Sequence, residues 1–266
     1  MEEGKLRKLQ LVQFEILLEV KRICDKYELQ YFLIGGTLLG AVRHKGFVPW
    51  DDDVDIAMPR SDYDKFVHYC SIELSKKYFL HCHETDDNYW NTFSKVRKNG
   101  TYLNEKSISK LATHKGIYVD IFPLDNASNP NSKQSLLQTK IIDIISAIIY
   151  QKRGLEFDHE QSSKLKVLFL CIKPFQIKTL AKLQRKIMTW YNSCQTDYWA
   201  GFGSHYGIIA RDKYLPSKEI EYEGTLFKVP FDYDYVLTSL FGDYMVLPPI
   251  EKRVQNHVIE VRFEEE

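Results

Sequence analysis

Residues 31–58 read YFLIGGTLLGAVRHKGFVPWDDDVDIAM, and the changes of period inside this stretch decide the fold. Tyr31 to Ile34 is a short aromatic and β-branched run that stops at Gly35-Gly36, the pattern of a buried strand entering a tight turn. Thr37 is placed to cap the helix formers that follow as far as Arg43. After Gly46 come Pro49, Trp50 and four acids within 51–55. From Asp53 onward, carboxylates alternate with apolar residues at period two. Asp53 and Asp55 are thus predicted on one face of a strand, with Val54 and Ile56 on the core face. Strand, double glycine, helix and acid-bearing strand fit one βα unit of an α/β protein.

Outward from this unit, Leu6, Leu9, Val12, Ile16, Leu17, Val20 and Ile23 recur near helical period, predicting an amphipathic helix that ends near Tyr27. Arg60 to Leu74 resumes helical spacing. Phe93 to Leu103 reads as a hairpin turning at Asn99-Gly100. Gly116 to Pro123 reads as a strand that carries Asp120 and is closed by its proline. Residues 133 to about 196 read as helical, broken at Pro174. Short strands and turns follow, with Pro248-Pro249 near the end. No internal repeat or low-complexity tract is visible. The expected organisation is a single domain: a mixed sheet flanked by helices over 1–125, a helical subdomain over 126–200 and a C-terminal cap over 201–266.

Composition bounds the function. The chain has 266 residues, 44% apolar and 14% aromatic, enough to bury a sizeable core and too much for a disordered chain. Thirty-six basic residues balance 36 acidic ones, which argues against a duplex nucleic-acid binder. Five scattered cysteines without a CxxC point to a reduced, cytoplasmic setting. The first 20 residues lack the uninterrupted apolar core of a signal peptide, and no apolar stretch is long enough to span a bilayer.

Two aspartates one residue apart on a strand, with Asp120 on another strand, make a hard-oxygen site suited to Mg²⁺. A solvated acidic loop is the plainer reading of such a cluster. The alternation weighs against it, as does the mutual repulsion of four acids, which a cation would neutralise. Gly35-Gly36 before a helix start offers N–H groups and a positive dipole end to an anion. Arg43, Lys45, Lys95 and Arg97 supply cations, and the last two share a strand face.

The 31–58 stretch, then KVRKNGT, GIYVDIFPLD and LFGDYMVLPPIEKR, resembles in order the LicD family of phosphocholine transferases, over about residues 10–260. That family is similar in turn to the fukutin-type transferases and belongs to the nucleotidyltransferase superfamily. The resemblance implies a nucleotidyltransferase-like mixed sheet. It matches Asp53 and Asp55 to the paired metal acids, Asp120 to the third carboxylate, and Gly35 and Gly36 to the phosphate turn, with Thr37 beside them a further substrate-binding candidate. It implies transfer of phosphocholine from CDP-choline to a sugar hydroxyl of a lipid-linked teichoic acid or lipopolysaccharide precursor, with CMP leaving and Mg²⁺ or Mn²⁺ as cofactor. A nucleotidyltransferase or glycosyltransferase would use the same acid pair, and a non-catalytic nucleotide-binding protein is the remote alternative.

Choline is a quaternary ammonium held by aromatic faces. Trp90 and Tyr244 are the leading aromatics for it, with Tyr89, Trp199 and Tyr206 behind them, although any single aromatic is more often core. His81, His83, His114 and His257 read more simply as structural histidines. Residues 161–196 hold basic side chains, among them Lys164, Lys173 and Lys182, between many apolar ones. That segment fits either peripheral contact with the inner face of the plasma membrane or a helical subdomain packed on the core.

Overall fold

The apolar stripe near the N-terminus forms α1 (Glu3–Lys26), which buries Leu6, Leu9, Ile16, Leu17, Val20 and Ile23 as its spacing predicts. The structure, a computed structural model, describes residues 2–109, 111–155, 175–204, 206–254 and 258–263. After α1 come β1 (Phe32–Leu33), α2 (Gly35–His44), β2 (Asp55–Pro59), α3 (Arg60–Glu73), β3 (Tyr78–His81), β4 (Ser94–Lys98), β5 (Tyr102–Glu105) and β6 (Tyr118–Ala127). Helices α4 (Lys133–Lys152) and α5 (Ile177–Met188) follow, then β7 (Tyr198–Ala200), β8 (Ile208–Ala210), β9 (Lys218–Tyr222), β10 (Thr225–Val229), α6 (Tyr233–Phe241) and β11 (Val258–Arg262).

The main sheet is mixed and runs β1-β2-β6-β4-β3, with β7 and β8 continuing from the far end of β6. Only the β2–β6 pair within it is parallel, and its register sets Asp55 beside Asp120. α1 and α3 pack on this sheet, and the core gathers Ile16, Phe32, Val54, Ile56, Phe66, Val96, Val119 and Ile121. This is the expected mixed α/β architecture.

Two strand expectations are corrected. Asn99-Gly100 does turn the chain, with Gly100 at φ 77°, but β4 and β5 do not pair. β4 lies between β3 and β6, and β5 pairs with β11. Nor does Pro123 close β6, which continues to Ala127. The Asp120 N–H donates to the Val54 carbonyl, so the N–H groups of 120, 122 and 124 point toward β2. Alternation turns position 123 the other way, past the last β4 partner at Ile121 and before the first β7 partner at Asp125. A residue without an N–H leaves no ladder bond unmade there.

Helices α4 and α5 form a second core around Ile142, Ile145, Ile149, Leu180 and Ile187. Gln184, buried between them, donates to the Ser146 hydroxyl at 2.6 Å and to the Ile142 carbonyl. Within the basic segment, α5 therefore buries one face against α4, while Lys178 and Arg185 pair with Asp87, Asp64 and Glu84. Lys164, Lys173 and the expected break at Pro174 lie outside the described residues. Across the β2–α3 junction, Arg60 makes a two-pronged ion pair to Asp125 on β6, at 2.8 and 2.7 Å, with Asp125 fully buried.

Candidate active site

The loop from α2 to β2 brings the acids to the end of the sheet, and α1 and the β9–β10 hairpin pin it. From α1, the buried side chains of Gln10 and Gln13 donate to the carbonyls of Asp51 (3.0 Å) and Asp52 (2.8 Å). The β9–β10 hairpin turns through Glu223-Gly224, both at positive φ. The Glu223 carboxylate accepts from the Phe47 N–H and from Arg7. The backbone of a short acidic loop is thereby fixed before any ligand arrives.

Helix α2 begins at Gly35 itself, with Ile34 as its N-cap. Thr37 is therefore not the cap that the sequence predicts. It lies in the first turn, and its hydroxyl accepts the Asp55 N–H at 2.9 Å, tying α2 to β2. Both glycines make space for a neighbouring side chain. Gly35 is at φ +56°, and a β-carbon there would overlap the Tyr206 hydroxyl; one at Gly36 would overlap the Asp51 carboxylate.

Asp53 lies just before β2 and Asp55 opens it, so the expected strand begins two residues late. Asp55 and Asp120 are both buried, and Tyr206 donates to Asp55 Oδ2 at 2.5 Å. Carboxylate oxygens of Asp51, Asp52 and Asp53 lie within 4.8 Å of one another. Burial, then the charges of Asp53 and Asp120, push the Asp55 carboxyl well above the usual carboxylate range. Burial, then Asp53 and Asp52, does the same for Asp51. The Asp120 carboxyl is raised by burial to about 6, a rise limited by Lys95, whose ammonium lies 2.8 and 2.9 Å from its two oxygens. A cluster of hard oxygens held against its own repulsion is a place where a divalent cation can bind.

The cations divide into two groups. Lys95 faces Asp120 across β4–β6 and stands over the Tyr118 ring at 3.4 Å. Arg97, on the same strand face, is fully buried, with Nε donating to His81 and Nη1 to the Gly116 carbonyl. Arg43 donates to the Tyr244 carbonyl at 2.6 Å, and Arg253 donates to the Pro248 carbonyl while lying over Trp50, 5.3 Å from the ring centre. Burial and the neighbouring Arg253 hold the Arg43 guanidinium below its ordinary range. Among the described residues neither has a carboxylate within ion-pair distance. Lys45 is exposed at the end of α2.

The aromatics are less open than choline capture requires. Trp90 is 3% exposed, enclosed by His81, Tyr89 and Arg153. Tyr244 gives its hydroxyl to Asp234 at 2.7 Å, and Trp199 is in the core against Phe32 and Tyr214. Tyr206 alone of these touches an acid of the cluster. His81 is buried, and burial beside Arg97 pushes it down to about 4, so it is a neutral structural residue. Asp51 and Arg253 are site residues that sequence reasoning left without a role, and Tyr206, expected only as an aromatic for choline, is instead the donor to Asp55. Asp51 and Arg253 sit inside the quoted motifs, and Tyr206 stands in no local pattern.

A family profile described as "LicD/FKTN/FKRP, nucleotidyltransferase domain" matches residues 28–155. The lipopolysaccharide cholinephosphotransferase LicD of Haemophilus influenzae is 30% identical over 271 aligned residues, covering 98% of each chain. The chain belongs to the LicD family. An uncharacterized protein of Rickettsia prowazekii is 39% identical over 49 residues, 18% of each chain. The profile spans the whole GG-to-acid unit of this LicD family chain, and Asp120 with it. Among the described residues no helix is long and apolar enough to cross a membrane.

Proposed function

We propose that this LicD family chain transfers phosphocholine from CDP-choline to a sugar hydroxyl of a lipid-linked lipopolysaccharide or teichoic acid precursor, releasing CMP, at the inner face of the plasma membrane. The observation that carries this reading is the end-to-end similarity to a lipopolysaccharide cholinephosphotransferase. The site supports it.

The donor set suits Mg²⁺ or Mn²⁺: carboxylate oxygens of Asp51, Asp52 and Asp53 lie within 4.8 Å of one another, and burial with the surrounding acids pushes the Asp51 and Asp55 carboxyls toward protonation. Asp53 and Asp55 would hold the cation, with Asp120 as third ligand. Bound there, it would draw charge from the phosphate oxygens. Gly35 and Gly36 bring the head of α2 close against Tyr206 and Asp51, beside the acids that would hold the cation, and Arg43, Lys45 and Arg253 supply positive charge for the phosphate. Lys95 holds Asp120 in place. Asp120 takes the proton of the acceptor hydroxyl as that oxygen bonds to the choline-bearing phosphorus and the bond from this phosphorus to the CMP oxygen breaks.

The test is incubation with CDP-choline, Mg²⁺ and a defined lipopolysaccharide or teichoic acid acceptor. Release of CMP matched by choline in the glycan is expected. Release of CDP or pyrophosphate would reassign the chain to a different transfer.

A further inference from the structure

Between residues 241 and 254 the chain turns its apolar side chains outward. Phe241, Met245, Val246, Leu247, Ile250 and Val254 are 44–75% exposed. Tyr244, in the same segment, is buried and tied to Asp234 at the head of α6. The segment is held in this attitude, since Arg43 grips the Tyr244 carbonyl and Arg253 the Pro248 carbonyl. Exposed apolar side chains gathered so closely mark a contact surface.

The chemistry around them selects the partner. Lys252 and Arg253 stand in the segment and Arg43 beside it, against Asp243 and Glu251, and the two arginines have no carboxylate partner among the described residues. The backbone from Gly242 to Pro249 is irregular, offering neither a strand edge for pairing nor a helical stripe for a groove. Separate apolar tips with cations at their base match the depth profile of an anionic bilayer: acyl boundary below, phosphates above.

We propose that residues 241–254 form a docking surface for an anionic lipid membrane. Arg253 lies over Trp50, the residue before the acid cluster, so this surface borders the mouth of the site. Docking there sets the acids at the lipid face. Such docking is independent of the identity of the donor.

The full chain is sedimented at low salt with vesicles of phosphatidylcholine alone or mixed with phosphatidylglycerol. Binding to the anionic vesicles is expected, weaker at high salt. The triple variant Val246→Ser/Leu247→Ser/Ile250→Ser should bind them about tenfold more weakly, with an unchanged circular dichroism spectrum and melting temperature. Lys252→Gln should weaken binding in the same direction. No wild-type binding, or undiminished binding by a folded triple variant, overturns the proposal. So does a concentration-dependent dimer that the triple variant converts to monomer, which would make the surface a contact between copies.

Discussion

Asp55 is held on three sides: its N–H by Thr37, its carbonyl by the Ile34 N–H and its carboxylate by Tyr206. Asp53, half-buried two residues before the strand, has the acids of 51, 52 and 55 around it. Asp53→Asn removes one negative charge from this crowd, so transfer should fall by about 10³-fold with no loss of melting temperature. CMP release and a thermal melt measured on one preparation check both halves. Tyr206→Phe deletes a hydroxyl donor to a buried carboxylate and should cost about 2 kcal/mol in urea unfolding. An unchanged midpoint would mean that Asp55 finds another donor. The paired acids and Asp120 were legible at this scale because alternation along a strand is a local property. The Thr37 and Asp51 environments were not, because Gln10, Gln13 and the start of α2 decide them across the fold.

At the scale of elements, α1 and α3 follow from apolar spacing, α2 from its helix formers, and β2 from the alternation of acids with apolar residues. The misread pieces share one physical cause. The turn at Asn99-Gly100 is chosen locally, but the partner of β5 is β11, far along the chain, and no local signal names it. Pro123 reads as a terminator unless the neighbours on each side of β6 are known. Long-range order is also where the junction of β2 and α3 is secured. Arg60→Ala leaves Asp125 fully buried with Asn192 as its remaining side-chain donor. The expected loss is about 3–5 kcal/mol, read as a lower denaturation midpoint with an unchanged slope. A loss under about 1 kcal/mol would show that Asn192 suffices.

For the molecule as a whole, pH dependence follows from buried groups of opposite sign, His81 on one side and the raised carboxyls of Asp51, Asp55 and Asp120 on the other. His81, pushed down to about 4, resists a proton that the unfolded chain accepts near 6.5. Its contribution is present above pH 6.5 and is lost as pH falls through about 4. Asp120, raised to about 6, works the other way: its protonated form favours the fold below about 4, and that contribution is lost as pH rises through about 6. Urea midpoints from pH 7 to 4.5 should therefore decline less in His81→Gln than in the parent chain. Equal slopes would place the proton elsewhere. The pairing of Asp120 and Asp55 has a further consequence, in the exchange of amide hydrogens with solvent. The Asp120 amide is tied to Val54 inside the sheet, with β4 on its other side, whereas the Asp55 amide is tied to a hydroxyl on α2. The first should exchange only when the whole sheet opens and the second whenever α2 lifts from it. Deuterium uptake at these two positions thus measures separately how long the acid floor and its glycine roof persist.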